Sequence, residues 1–236
     1  MSMKTRVPEI LGIAYPILQG GMIWVTDAGL AAAVSEGGGL GMIGAGGMPP
    51  EMLEKELARA RELTGRNFGV NVPLQRPDAA DLIAVAADNG VPVVSTSAGN
   101  PNPFTSMARE RGMKVIHVVS NVRMAEKAQE AGVDVIVAEG YEAGGHNGFD
   151  EITTMALVPQ VVDAVETPVV AAGGIADARG MVAAFALGAE GVQMGTRFLA
   201  SLESPAHNRY KELVVNAGDR GTLVTGRAFG PVRGIK

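Results

Sequence analysis

Residues 138–148 read AEGYEAGGHNG, which places His146 directly behind Gly144 and Gly145 and two positions ahead of Gly148. The chain has only three histidines. An imidazole with an ordinary pKa of about 6.5 can give or take a proton at neutral pH. The glycines before it let backbone fold closely over a neighbour, so the stretch suits a proton-handling side chain on a pliable loop. A loop histidine satisfied by backbone or water is the plainer alternative. The other two histidines carry less: His117 sits inside an apolar run, VIHVV, where lining or packing is expected, and His207 in SPAHNRYK reads as a solvated helix residue.

Such a loop needs elements to hold it. Short runs rich in Val and Ile, bounded by Gly, Pro or Asn, recur along the chain: YPILQG, GLGMIGAG, NFGVNVP, VPVVSTSAG, MKVIHVVS, VDVIVAEG, TPVVAAGG and EGVQMGTRF. Between them lie stretches of helical period at 27–36, 50–63, 78–88, 102–111, 122–131, 154–165, 178–187 and 204–216. Runs apolar on nearly every residue are strands buried on both faces, as a parallel sheet wrapped by helices requires. Eight such β-then-α units predict a (β/α)₈ TIM barrel, with an open doubly wound sheet as the runner-up. No linker or charge block divides the chain, so one domain over residues 1–236 is expected.

In a barrel the chemistry gathers where strands end. The first run ends in QGGM (19–22), the second in GAGG (44–47), the third at Asn71, the fourth in TSAGN (96–100) and the sixth at the histidine stretch. AAGGIAD (171–177) ends the seventh and MGTRF (194–198) the eighth. Glycine at most of these ends means amides free to donate and backbone in close approach to a ligand. The last two loops, with Asp177 as a helix N-cap and the hydroxyl of Thr196 beside the turn, are where barrels hold a terminal phosphate. Neither a GxGxxG nor a Walker lysine is present there. Glu139 and Glu142 lack the further His or Asp of a metal set, so no metal is assigned. Trp24, behind the GGM turn, is a candidate wall for the pocket.

Composition narrows the partners. A formal net charge of −5 without a long single-sign run argues against nucleic acid or an anionic membrane surface. With no cysteine, neither disulfides nor thiolate metal sites contribute. The start, MSMKTRVPEIL, lacks a signal peptide's apolar core, and no run approaches the roughly 20 apolar residues that span a bilayer. A cytoplasmic protein acting on small molecules is the expectation.

Taken in order, YPILQGGM, AAAVSEGGGLGMIG, FGVNV, AEGYEAGGHNG, PVVAAGGIAD and GAEGVQMGTRF resemble the FMN-dependent enoyl-acyl-carrier-protein reductase II and nitronate monooxygenase (2-nitropropane dioxygenase) family along essentially all 236 residues. The resemblance implies FMN laid across the carboxyl face of the barrel. Gly21 and Met22 would meet its ring and Asn71 its pyrimidine side. Gly173, Gly174, Gly195 and Thr196 would hold the phosphate, with Glu139, Gly145 and Gln193 completing the cofactor set and His146 catalytic. Gln19 falls at a strand end facing the same mouth. Two chemistries are implied: reduction of a trans-2-enoyl thioester on an acyl carrier protein by NADH or NADPH through the flavin, which EITTMALVPQV and ESPAHNRYKELVV favour, and oxidation of alkyl nitronates with O₂. A homodimer is compatible with either. Tyr141 replaces a more usual apolar residue, and its hydroxyl is expected to polarise the flavin's surroundings. Family members continue past the equivalent of RGIK (233–236) with a helical segment over the mouth. The expectation is therefore a barrel lacking that lid, and a catalytically incomplete FMN-binding module is the further alternative.

Overall fold

The structure, a computed structural model, describes residues 5–236. Eight parallel strands form the barrel: β1 (Ile17–Gln19), β2 (Met42–Gly44), β3 (Gly69–Pro73), β4 (Val93–Ser97), β5 (Lys114–Val119), β6 (Val135–Glu139), β8 (Val169–Ala172) and β9 (Gly191–Met194). They are hydrogen-bonded in the order β1-β9-β8-β6-β5-β4-β3-β2. The ring closes between β1 and β2 through a parallel bridge, Leu18 to Leu40. The helices are α2 (Ala28–Glu36), α3 (Pro50–Leu63), α4 (Ala79–Asp88), α5 (Asn102–Glu110), α6 (Val122–Glu130), α7 (Thr154–Ala164) and α8 (Ala178–Ala186). Their chemistry fixes their starts: Asp27 accepts from the amide of Leu30, Asn121 from Met124, and Asp177 from Arg179 and Gly180.

Alternation along each strand separates two apolar cores. Ile43, Val70, Val94, Val115, Ile136, Ala171 and Val192 face the helices. Leu18, Met42, Val93, Ile116, Val135, Val137 and Val170 fill the barrel. An additional helix, α1 (Arg6–Leu11), inserts Val7 and Leu11 into this inner core. It closes the end opposite the mouth, where the Arg6 guanidinium pairs with Glu190 and bonds the carbonyl of Glu166. Six residues are too few for a helical period to stand out in the sequence.

Beyond the barrel the chain departs from a simple repeat. Residues 204–207 precede α10 (Asn208–Asn216) instead of joining it. His207 is its N-cap, Nδ1 accepting from the amide of Arg209 at 3.2 Å, and so has a defined structural bond. A one-turn helix, α9 (Thr196–Leu199), follows β9. The histidine stretch is not a free loop either: β7 (Gly145–His146) forms a three-stranded antiparallel sheet with β10 (Thr222–Thr225) and β11 (Val232–Ile235).

Candidate functional site

The mouth of the barrel is built from the last inward-facing residue of each strand. Val135 and Val137 face the interior, so Glu139 does too, at the top of the apolar plug. Register places Glu139 beside Ala172, and Ala172 beside Gln193. Two polar side chains therefore flank a methyl group on three adjacent strands. Across the barrel, Gly44, Asn71 and Ser95 form a second row in register.

These polar groups are short of partners. Neither the Glu139 carboxyl nor the Gln193 amide hydrogen-bonds any described residue, although Gln193 is buried. Asn71 Nδ2 makes only long contacts, 3.4 Å to the carbonyl and 3.5 Å to the hydroxyl of Ser95. Burial without a compensating cation pushes Glu139 up to about 7. Polar groups held in a cleft with unspent bonding capacity are a receiving surface for a polar ligand.

The β1–α2 loop forms one side of this surface. A Cβ on Gly21 would stand 2.3 Å from Cβ of Asn71, so only glycine lets the two touch. The loop is tied by Thr26, whose Oγ1 accepts from the amide of Met22 and donates to its carbonyl. Trp24 has φ 63 and remains 64% exposed, its ring over Gly47. Left-handed backbone at an aromatic residue is strained and is held only where the surroundings fix it.

Two loops form the other side. Gly173 (φ 100) and Gly174 (φ 72) turn the chain sharply after β8, a conformation that disfavours any side chain. The amides of Gly173, Gly174, Gly195 and Thr196 donate to no described residue. Four unpaired donors on neighbouring loops make an anion cradle. Glu142 fixes this corner: its carboxylate accepts from the amide (2.9 Å) and hydroxyl (3.0 Å) of Thr154 at the start of α7, and the same hydroxyl stands 2.8 Å from the Gly173 carbonyl. A helix cap is thus the use of Glu142.

His146 is exposed and its ring makes no hydrogen bond with described residues. Its backbone pairs with Val232, and that of Gly145 with Arg233. The loop passes over the end of β9, where a Cβ on Gly144 would stand 3.6 Å from Oγ1 of Thr196. Arg233 anchors it, Nε donating to the Tyr141 carbonyl at 3.1 Å and the guanidinium lying 5.2 Å from the centre of the Tyr141 ring. The Tyr141 hydroxyl donates to Glu151 at 2.9 Å. That hydroxyl is committed to the hairpin cluster, which corrects the expectation that it polarises the mouth.

Register places two further residues. Of lining and packing, His117 takes the second: it shares the outward direction of Val115 and Val119 and faces the helix layer, not the barrel lumen. Gln19 is wholly buried in the β1/β2 seam, where Oε1 accepts from the Met42 amide at 2.9 Å and Nε2 donates to the Gly20 carbonyl. It supplies the cross-strand bond that two three-residue strands cannot complete alone, and it does not face the mouth. The arrangement as a whole can receive an anion at the cradle, hydrogen-bond the edges of a planar heterocycle beside it, and exchange a proton through His146 or Glu139.

A family model described as nitronate monooxygenase matches residues 4–236. The chain belongs to the nitronate monooxygenase family. It is 39% identical to the probable nitronate monooxygenase of Staphylococcus saprophyticus, over all of this chain and 79% of that one. Among solved structures it is similar to FabK from Thermotoga maritima, with TM-score 0.96 and 52% identity over 98% of this chain and 74% of that one. It is also similar to a nitroalkane oxidase from Streptomyces ansochromogenes, with TM-score 0.88 and 32% identity over 98% of this chain and 79% of that one. Nitronate monooxygenase family members are flavin-dependent oxidoreductases, and this chain is one. No helix among the described residues is long and apolar enough to cross a membrane.

Proposed function

We propose that this chain is an FMN-dependent reductase of enoyl thioesters carried on acyl carrier protein, with NADH or NADPH as the electron donor. The observation that carries the reading is the mouth itself: four unpaired amides beside three polar side chains with unspent bonding capacity. These groups fit FMN. Gly173, Gly174, Gly195 and Thr196 would hold the phosphate, while Asn71, Gln193 and Glu139 would bond the edges of the ring system. Gly21, Met22 and Gly145 would lie against it, Gly21 leaving the space that Asn71 needs.

When bound, the flavin supplies the two-electron transfer that no side chain of this protein can perform. The protein positions the substrate and manages a proton. Addition of hydride to the β-carbon of an enoyl thioester leaves the α-carbon needing a proton, and His146, exposed at the rim on a braced strand, would deliver it. Support for the reductase branch over its sister comes from the 52% identity to FabK, an enoyl-acyl-carrier-protein reductase II, against 39% and 32% for the nitronate monooxygenase and nitroalkane oxidase relatives.

Oxidation of alkyl nitronates is the second reading, favoured by the family description and the names of the curated relatives. There His146 would take a proton from a neutral nitroalkane. Anaerobic mixing of the FMN-loaded chain with NADH, NADPH or an alkyl nitronate, followed by flavin absorbance, separates the two. Bleaching by a nicotinamide donor with turnover of an enoyl thioester is expected; bleaching by the nitronate alone selects the second reading, and bleaching by none rejects both. Replacement of His146 by Ala should leave FMN bound and slow the step with the organic substrate.

A further inference from the structure

On the flank of the barrel, below the β4–α5 loop, the helix ring is open between α5 and α6. The two helices barely touch, although the Arg109 guanidinium on α5 reaches over to the carbonyl of Gly132 behind α6. The seam holds a cavity of about 560 Å³ between the loop at 99–102 and the α6 face formed by Met124, Lys127 and Glu130. That size suits a small organic molecule better than a single ion.

His117 lies at its floor and is 1% exposed. The Thr96 hydroxyl stands 2.8 Å from Nδ1 and 3.2 Å from the Ile116 carbonyl. With the hydroxyl proton on that carbonyl, Nδ1 carries the ring proton and Nε2 is a bare acceptor with no partner among the described residues. Burial keeps the ring neutral, its pKa pushed down to about 4. Buried acceptors are normally bonded, so an open Nε2 in a roomy cavity marks a place for a donor.

The walls specify the rest. Pro101 and Met124 offer apolar faces to a flat ring. Lys127 and Glu130, both exposed on the rim, form no ion pair among the described residues. Lys127 is free to meet an anion, and Glu130 to accept from a hydroxyl.

We propose that this groove is a second binding site, for a nucleoside monophosphate or a molecule of like chemistry, whose ring amine donates to Nε2 of His117 and whose phosphate meets Lys127. The site is independent of the flavin reading and shares none of the residues assigned there to the cofactor or to catalysis.

AMP is the probe, added to the FMN-saturated chain so that the flavin's own phosphate site is filled. Imidazole nitrogen resonances and calorimetry are the readouts. Millimolar AMP should move the His117 Nε2 resonance. Lys127→Glu, on an exposed helix face where folding is not threatened, should weaken AMP about tenfold, the loss of roughly one charge contact. Purine riboside monophosphate, which lacks the amine, should leave Nε2 unmoved. The proposal is overturned if AMP neither releases heat nor moves Nε2, or if it binds Lys127→Glu as well as the unaltered chain.

Discussion

The backbone of His146 pairs with that of Val232 in an antiparallel register. The one exposed imidazole at the mouth is thus aimed by the last strand of the chain and not by the barrel wall. Asn147 extends the pairing, its amide donating to the Pro231 carbonyl at 2.8 Å. Arg227 adds an ion pair to Glu151 at 3.0 Å, so a small polar cluster fastens hairpin and loop.

Arg233 is the centre of that fastening, bonding Tyr141, covering its ring and reaching Thr222 at 3.0 Å. Arg233→Ala should cost on the order of 1–2 kcal/mol of local stability, as the loss of one charge-assisted bond and a partly exposed ring contact does. Faster amide exchange over residues 144–148, with FMN still bound and turnover lowered several-fold, is the expected result. Unchanged exchange would show that the hairpin does not brace the histidine.

The barrel was readable because each β-then-α unit carries its own local signal: an apolar run, a glycine-rich end and a capped helix, as at Asp27 and Asp177. The rim glycines were readable for the same reason. What escaped depends on distant pairing. β7 is two residues long and exists only because β11 lies beside it, and nothing in AEGYEAGGHNG encodes that. Likewise His117 and Gln19 were located on their strands, but which way each points follows from register set by neighbouring strands. Glu142 was legible as a carboxylate on a loop, while its bond to Thr154 required the fold.

Gly195 offers a direct test of the cradle. Its φ of −108 suits any residue, and an added Cβ would meet only Met22 Sδ at 3.5 Å, an ordinary contact. Nothing in the protein therefore demands glycine there. Gly195→Ala is expected to fold with the stability of the unaltered chain yet bind FMN about tenfold or more weakly, as equilibrium dialysis would read. Full affinity would remove Gly195 from the cofactor set.

Gln19 makes the opposite kind of prediction. Gln19→Leu keeps the volume but leaves the Met42 amide buried without its acceptor, a loss of about 1–3 kcal/mol. Urea unfolding of the FMN-free chain should show this destabilisation. A variant as stable as the parent would mean that the Leu18 to Leu40 bridge closes the ring unaided.

Glu139 links stability to pH with a sign opposite to that of most carboxylates. Its ordinary value of 4.5 rises to about 7 in the folded chain because burial disfavours the charge. Between these values the folded state holds a proton that the unfolded state has released, so stability falls as pH rises through the window. The contribution is fully present below 4.5 and lost above 7, and a shift of this size corresponds to on the order of 3 kcal/mol. Asp177, held down to about 2 chiefly by its bond to Arg179, acts in the reverse sense and at much lower pH. The comparison that isolates Glu139 is therefore the difference between the unaltered chain and Glu139→Gln, both without FMN, unfolded in urea at pH 5 and pH 8. Their gap should change by about that amount, with the variant gaining relative stability at pH 8. A constant gap would mean that the carboxylate is solvated at the mouth, and Glu139 would then have no proton to exchange near neutral pH.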